Sequence, residues 1–357
     1  MTERLILAVN PGSTSTKLAV FDGGEPRLEH AIEHPDDALA PLRGRPVLDQ
    51  LELRLEAVRA VLADEGFDPT ALAAVVGRGG LLRPLAGGTY RVTDAMLDEL
   101  AAAPRGEHAS NLGAFMAREL AGPAGCPAFI VDPVSVDEWE DAARPSGLAG
   151  LDRECLSHAL NTRAVAKRFA REAGTTYGAL RLVVVHMGSG HSVSAHRDGR
   201  MVDVTNSREE GPFSTERAGT VPTVRLVERV LRDGLTAAGA ERLLFREGGL
   251  YSYLGTRDLR EVEARIEAGD DRARLLFDAM VHQLRKAVGA MVAVLDGRVD
   301  AVLLTGGMAR SDRLVGLLRE HLAWIGPIHV YPGEDELRAL AEGAARVLEG
   351  EEDAREY

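Results

Sequence analysis

Aromatic residues are scarce in this chain of 357 residues, making up 4% of it against 45% for hydrophobic residues as a whole. The composition therefore predicts an aliphatic core of Leu, Val and Ala. Positive charge is also in deficit, since the formal net charge is -13. Nucleic-acid binders normally carry a basic face, so this balance argues against that class of function. The length is sufficient for two domains.

Cysteine is nearly absent, and its two positions, Cys126 and Cys155, form no pattern. Their spacing excludes the usual zinc motifs and leaves a disulfide open without requiring one. The longest apolar stretches, such as residues 287–295, are too short to span a bilayer. Residues 1–4 run directly into a strand pattern without a signal-peptide pattern, so we expect a cytoplasmic protein.

Residues 5–21 are the most informative segment. Apolar runs at 5–9 and 18–21 predict two buried strands, and Asn-Pro-Gly-Ser-Thr-Ser-Thr-Lys lies between them. Gly12 permits a sharp turn and the close approach of an anion, the hydroxyls can donate, and Lys17 adds a positive charge. We interpret the segment as a phosphate-binding turn. The alternative is an ordinary surface hairpin, because the same residues favour turns for local reasons.

A second strand–turn–strand segment of similar design occupies residues 182–196, with His-Met-Gly-Ser-Gly-His at its turn. Gly306 and Gly307 close a further apolar strand at 301–305. Two halves that each begin with such a segment suggest an internal duplication with the ligand between the halves. The Pro/Gly-rich stretch 142–150 predicts a boundary between domain I (1–150 plus 335–357) and domain II (151–334). Apolar periodicity predicts further strands at 73–76 and 128–131 and helices at 51–64, 94–120 with a break at 104–106, 156–172, 218–233, 260–295 and 337–348.

Sequence blocks along almost the whole chain resemble those of butyrate kinases, within the acetokinase family of short-chain acyl kinases and the wider acetate and sugar kinase, Hsp70 and actin superfamily. The blocks are residues 10–17, 77–80, 108–113, 131–133, 158–161, 186–190, 211–219, 253–260, 305–307 and 331–336. The resemblance implies an α/β fold of two RNase H-like (actin-like ATPase) domains. Each is expected to be a mixed five-stranded sheet with helices, with the ligand cleft between them.

The reaction implied by the resemblance is reversible, direct phosphoryl transfer from ATP to a short-chain carboxylate such as butyrate or isobutyrate, giving ADP and an acyl phosphate. A carboxylate is already ionised at neutral pH, so this reaction needs no general base. The obstacle is repulsion between two anions, which amounts to about 4 kcal/mol for unit charges about 4 Å apart at an effective dielectric constant of 20. We therefore expect several cations and strong donors in the site.

The resemblance also implies roles for individual residues. Arg217 and His158 would stabilise the transferring phosphoryl group, and Asp132 would orient or contact the metal–phosphate cluster. Arg78 would hold the substrate carboxylate, beside Gly80 and Ser157. The expected ATP or ADP ligands are Asn10, Ser13, Ser15, Lys17, His186, Gly188, Ser189, Gly190, Asp258, Leu259, Arg260, Gly306 and Gly307. Mg²⁺ would lie near Asn10 and the acids of residues 334–336, of which we assign Asp335 and Glu336.

Two departures from the family pattern concern the size of the acid. Gly80 replaces the bulky apolar residue of acetate kinases, and Ser157 replaces the usual aromatic residue of butyrate kinases. Each lost methylene contact is worth about 0.8 kcal/mol, so we expect a pocket for acids of four or more carbons, branched ones included. The alternatives are an acetate or propionate kinase and an ATPase switch of the Hsp70 or actin type. The chain ends soon after its last predicted helix, which argues against an appended binding domain, and relatives suggest a homodimer or larger homo-oligomer.

Overall fold

The computed structural model describes residues 4–357. Residues 1–3 lie outside the described residues. The prediction that the sequence shows no signal-peptide pattern depends partly on them. By its internal contacts the chain divides into two units. The first unit contains the described residues up to Asp137 and then Asp335–Tyr357, and the second unit is Glu138–Glu334. Within residues 4–357, no helix combines the length and apolar character needed to cross a membrane.

The first unit is built on a mixed sheet of strand order β3-β2-β1-β4-β6-β5. Its strands are β1 (Leu5–Pro11), β2 (Ser15–Asp22), β3 (Glu25–Glu33), β4 (Leu72–Arg78), β5 (Thr89–Arg91) and β6 (Ala128–Val131). Its helices are α1 (Asp36–Leu39), α2 (Leu51–Asp64), α3 (Asp94–Ala102), α4 (Leu112–Ala121) and α12 (Glu336–Leu348). The described sheet has one strand more than expected, because the three-residue β5 pairs antiparallel to β6. A strand this short shows no alternation in the sequence.

The second unit is built on a mixed sheet of strand order β11-β10-β7-β8-β9. Its strands are β7 (Leu182–Met187), β8 (His191–Arg197), β9 (Arg200–Val204), β10 (Ala301–Gly306) and β11 (Ile328–Pro332). Its helices are α5 (Ala159–Glu172), α6 (Thr223–Arg232), α7 (Ala237–Phe245), α8 (Gly249–Leu254), α9 (Leu259–Glu267), α10 (Asp271–Val294) and α11 (Asp312–Leu322). The helix predicted over 260–295 is two helices, because Gly269 has φ +89° and Asp270 caps a new helix start.

Both strand–turn–strand segments are antiparallel hairpins. In the first, β1 pairs with β2 so that Asn10 lies opposite Lys17. In the second, β7 pairs with β8 so that Met187 lies opposite His191. Each hairpin also has a parallel neighbour, β4 beside β1 and β10 beside β7. Because the carboxyl ends of parallel strands meet at one edge, the turn of each hairpin lies beside the end of its parallel neighbour.

The units divide after residue 137, thirteen residues before the expected end of domain I at residue 150. Glu138 accepts hydrogen bonds from Arg163 (2.6 Å) and from the backbone N–H of Met201 (3.0 Å), both in the second unit. The backbone N–H of Glu140 donates to Val202. These bonds attach residues 138–140 to the second unit, so the Pro/Gly-rich stretch that follows lies within that unit.

Two glycines set the distance between α4 and the sheet of the first unit. A Cβ on Gly77 in β4 would overlap the backbone of Gly113 in α4, and a Cβ on Gly113 would overlap the Arg78 backbone. Helix and strand are therefore in backbone contact where β4 ends. This contact fixes the position from which the Arg78 side chain departs.

A buried histidine makes the second unit sensitive to acid. His196 in β8 is fully buried, with Nδ1 2.6 Å from the Tyr177 hydroxyl and Nε2 2.7 Å from Ser194 Oγ. Burial, and next the charge of Arg163, lowers its pKa from 6.5 to about 3. The unfolded chain therefore binds one more proton here between these two pH values, and stability falls as pH falls through that window.

We expect this histidine to lower the free energy of unfolding by about 1.4 kcal/mol for each pH unit below 6.5. Urea unfolding of the wild type and of His196→Gln at pH 7, 6 and 5 measures the effect. The slope of stability against pH should be smaller in His196→Gln. Equal slopes would show that His196 is protonated in the folded protein.

Candidate functional site

The first hairpin presents its turn to solvent. Ser13 and Lys17 are exposed, Ser15 is half-buried and Asn10 is buried at the end of β1. The turn is closed by the Gly12 N–H, which donates to the Ser15 carbonyl at 2.8 Å. The hydroxyl and ammonium groups expected to meet phosphate are thus accessible.

Three predicted residues meet at the edge of the first sheet. Glu336, the first residue of α12, places Oε2 2.6 Å from Asn10 Nδ2 and 2.6 Å from Arg78 Nη1. Asn10 ends β1 and Arg78 ends the parallel strand β4, so the sheet itself brings their side chains together. Glu336 is therefore the acid of residues 334–336 that joins this cluster. Asp335 does not join it, because its exposed carboxylate pairs with Arg338 at 3.3 Å.

The Asn10–Glu336 pair suits a magnesium ion. Asn10 donates its Nδ2 to Glu336, which leaves the amide oxygen as an acceptor, and only one Glu336 oxygen takes both donors. Mg²⁺ accepts one or two such oxygens and completes its shell with water and substrate phosphate. Among residues 4–357, no three His, Cys, Asp or Glu side chains form a metal-binding group by themselves. The oxygen atoms present therefore fit an ion that takes a phosphate and water as its remaining ligands.

Asp132 follows β6 at the same edge, since Val131 pairs with Arg78 in the parallel register. Its side chain is buried and its φ of +37° lies in the left-handed region. Its Oδ1 accepts the Gly88 N–H at 2.7 Å, and its own N–H donates to the Gly88 carbonyl at 3.0 Å. Asp132 therefore holds the loop that precedes β5 in place, at the sheet edge where Arg78 lies.

The expected space beside Gly80 is filled in the structure, so the size argument from this residue is wrong. A Cβ on Gly80 would lie 2.6 Å from the Asn111 Cα and 2.9 Å from a Leu100 methyl carbon. The glycine serves close packing at the end of β4. Ser157 is buried, and its hydroxyl donates to the Met201 sulfur at 3.7 Å. Gly80 therefore provides no volume for an acyl pocket, and the size argument from Ser157 stays a prediction.

Two histidines stack in the second unit. The rings of His158 and His186 lie 3.8 Å apart, centroid to centroid, with an interplanar angle of 7°. His158 Nδ1 is 2.9 Å from the Ser192 hydroxyl, and His186 Nδ1 is 2.8 Å from the Asn161 amide oxygen. His186 Nε2 is buried and makes no hydrogen bond, while Glu334 Oε1 lies 3.5 Å from it. Both rings are thus held in fixed orientations by a neighbouring polar side chain.

Arg217 lies against the turn of the second hairpin. A Cβ on Gly190 would overlap its guanidinium group, so only glycine allows this approach. Nη1 donates to the Ser207 hydroxyl at 2.6 Å, and the guanidinium carbon is 4.1 Å from the centre of the Phe245 ring. Nε is buried without a hydrogen-bond partner. Burial lowers the pKa of Arg217 to about 10, so the group stays charged at neutral pH.

His191 is a further polar group in this region. It is fully buried at the start of β8, and burial, followed by the charges of His186 and Arg217, lowers its pKa to about 3. The ring is therefore neutral at physiological pH and leaves the positive charge to Arg217.

The glycine-rich residues of the second unit that are expected to bind the nucleotide lie in two segments. Gly188 lies beside His186, since a Cβ there would be 3.3 Å from His186 Nε2, and the Ser189 carbonyl accepts the Ser214 hydroxyl. Gly306 has φ +90° and packs against the Met187 backbone, whereas Gly307 has open space around its Cα. The structure therefore assigns backbone packing to Gly306 and accessibility to Gly307.

Residues 258–260 make their side-chain contacts within α9 and the core of the second unit. Asp258 caps α9 by accepting the Arg260 N–H at 2.9 Å, and it pairs with the Arg260 guanidinium at 2.6 Å. Leu259 is buried in the core of the second unit. Its side chain is thus engaged in packing, and only its backbone could meet adenosine.

Sequence reasoning missed the residues that orient the predicted ones. Asn161 and Ser192 hold the stacked histidines, and Ser207 holds Arg217. Asn161 lies one helical turn after His158 in a block shared with acyl kinases, which is a signal that could have identified it. Ser192 and Ser207 carry no comparable signal, because serine in a strand or loop is common.

Comparison with known proteins identifies a matching family model and similar solved structures. The family model described as "Acetokinase family" matches residues 153–336. An acetate kinase from Porphyromonas gingivalis has a similar structure, with a TM-score of 0.79 and 20% identity over 96% of this chain and 99% of that one. A propionate kinase from Francisella tularensis gives a TM-score of 0.72 and 17% identity over 95% and 98% of the two chains. At these identities the likeness shows the fold, and the predicted α/β fold class is confirmed.

The close packing of Gly80 gives a stability prediction. Gly80→Ala should lower the free energy of unfolding by about 1–3 kcal/mol, because the added methyl group must displace Asn111. Gly122→Ala is the matched control, since a Cβ at Gly122 meets nothing within 4 Å and its φ is helical. Denaturant titration of both variants measures the difference. Equal stabilities of the two variants would show that the space beside Gly80 is open after all.

Proposed function

The chain belongs to the acetokinase family of ATP-dependent carboxylate kinases, and on this premise we propose that it phosphorylates butyrate, isobutyrate or a related branched acid of four or five carbons. The reaction is a reversible, direct transfer of the γ-phosphoryl group of ATP to the carboxylate. A preference for acetate or propionate is the alternative.

The observation that carries the proposal is the environment of Arg217. This largely buried guanidinium has no ion pair with a carboxylate within the described residues, and its Nε has no hydrogen-bond partner. A buried, unsatisfied donor with a positive charge is costly unless an anion binds there. The adjacent turn contains the glycines expected to receive phosphate. Negative charge developing on a transferring phosphoryl group is the ligand that this environment suits.

Arg78 supports the carboxylate as acceptor. It donates one N–H to Glu336 and keeps its other donors for a second acceptor. The planar guanidinium can grip a carboxylate with two parallel bonds, which holds the attacking oxygen in one orientation. Since that oxygen is already ionised, the residues around it need only position it and screen its charge from the phosphates.

Mg²⁺ would be held by Asn10 and Glu336, whose oxygens fit it as described above. When bound, the ion neutralises part of the phosphate charge. Asn10 and Arg78 share one oxygen of Glu336, so this chain couples the orientation of the metal ligand to that of the acid-binding arginine.

The size of the acid rests on the resemblance of the sequence blocks to butyrate kinases and on the untested argument from Ser157, since Gly80 provides no extra volume. Trapping acyl phosphate with hydroxylamine, using ATP and straight or branched acids of two to six carbons, tests the proposal. Highest kcat/KM for a C4 or C5 acid is expected. A maximum at acetate or propionate selects the alternative, and ATP hydrolysis without acyl phosphate contradicts a carboxylate kinase.

Removing the groups assigned to the phosphoryl group should affect kcat most. We expect Arg217→Ala and His158→Ala each to lower kcat by about 10²–10³, with a much smaller change in the KM for ATP. Steady-state kinetics, with the exposed Arg229→Ala as control, measures this. Unchanged kcat with a raised KM would make these residues nucleotide ligands only.

Exchanging the acid-binding arginine for lysine keeps the charge and removes the planar fork. Arg78→Lys should therefore raise the KM for the acid and leave the KM for ATP nearly unchanged. Saturation curves for each substrate at a fixed excess of the other provide the measurement. An unaltered KM for the acid would remove Arg78 from the acid site.

A further inference from the structure

A second buried arginine lies beneath the first hairpin. Arg54 is on α2, in the middle of a helix predicted from its apolar periodicity, and its side chain is 0% exposed. Arginine is rarely buried to this extent unless a carboxylate accompanies it. The mechanism described above does not use it.

The partners of Arg54 belong to the phosphate-binding turn and to one glutamine. Nη1 donates to the Ser15 carbonyl and to Thr16 Oγ1, both at 2.9 Å, and Nη2 donates to the Ser13 carbonyl at 3.3 Å. Gln50 Oε1 accepts from Nη2 at 2.9 Å and from Nε at 3.3 Å. The guanidinium group thus holds two residues of the turn, Ser13 and Ser15, by their carbonyl oxygens.

These bonds determine where the turn presents its N–H groups. In a trans peptide the N–H points opposite to the C=O. Because the Ser13 carbonyl is directed to Arg54, the N–H of Thr14 in the same peptide is directed away from it. Thr14 is exposed, so this donor lies on the solvent side of the turn.

The charge of Arg54 is not balanced by an acid. Within residues 4–357 all its hydrogen bonds are to neutral oxygens, and it forms no ion pair. Burial lowers its pKa to about 10, so it remains protonated. Its charge also contributes, after burial, to the lowered pKa of His34, which bonds Thr16 Oγ1 at 2.8 Å. The neighbouring histidine therefore stays neutral, and the turn rests on one uncompensated positive charge.

We infer that Arg54 is a positioning residue for ATP: it fixes the turn so that its N–H groups face the phosphates, and its buried charge strengthens phosphate binding. The inference rests on the proposed function, in which this turn binds ATP. It separates two contributions, the geometry of the turn and the charge beneath it.

Gln50→Glu tests the charge without removing Arg54. The substitution places a carboxylate where the amide oxygen already accepts from the guanidinium group, so the charge is neutralised and the buried cation gains a partner. We expect an unchanged or higher Tm, together with a Kd for ATP about 15- to 35-fold weaker, the effect of one unit charge about 8–10 Å away at an effective dielectric constant of 20. The affinity for adenosine, which has no phosphate, should not change. Calorimetric titration with each ligand provides both affinities.

Arg54→Lys and Gln50→Leu complete the test. Arg54→Lys keeps the charge but loses the paired hydrogen bonds to the carbonyl oxygens. Its Tm should therefore fall, while its affinity for ATP should stay close to that of the wild type. Gln50→Leu removes the same amide without adding charge and should bind ATP nearly as the wild type does. If Arg54 has only a structural role, the affinity for ATP should follow Tm in all three variants, and Gln50→Glu should not weaken ATP binding. That result would overturn the inference. Failure of the wild type to bind ATP would instead refute the proposed function.

Discussion

The structure depends on burying positive charge without an acidic partner beside each of the two hairpin turns that we propose as phosphate sites. Arg217 lies against Gly190 in the second hairpin, and Arg54 lies beneath Ser13 and Ser15 in the first. Burial lowers the pKa of both arginines to about 10, yet both remain charged. Such a charge costs stability unless an anion offsets it. In a chain with a net charge of -13, these two buried cations are the basis on which we propose phosphate binding at the two turns.

Arg78 represents the opposite arrangement. Its partner Glu336 also receives Asn10, so the arginine expected to bind the acid is partly neutralised and held in place. Arg78 keeps donors that can grip a carboxylate, whereas a buried arginine without an acidic partner is stabilised most by a highly charged anion. The difference in pairing thus matches the difference between the two substrates of a carboxylate kinase.

Much of the framework could be predicted because it follows from local patterns. The helix at Leu51–Asp64 and the strand at Ala128–Val131 have the predicted bounds, and the two hairpins follow from apolar runs around glycine and hydroxyl residues. Packing between distant segments could not be predicted. Gly80 was expected to leave an open space, but Asn111 packs against it, and the burial of Arg54 on α2 was not predicted. Neither contact has a signal in the spacing of neighbouring residues.

The central claim is that the acid's own carboxylate oxygen attacks the γ-phosphorus of ATP. ³¹P NMR of a reaction with ¹⁸O-labelled butyrate tests this most directly. The account predicts an acyl-phosphate resonance carrying the isotope shift of one bridging ¹⁸O, together with ADP. Formation of ADP and unlabelled orthophosphate, with no acyl-phosphate resonance for any short-chain acid, would contradict it.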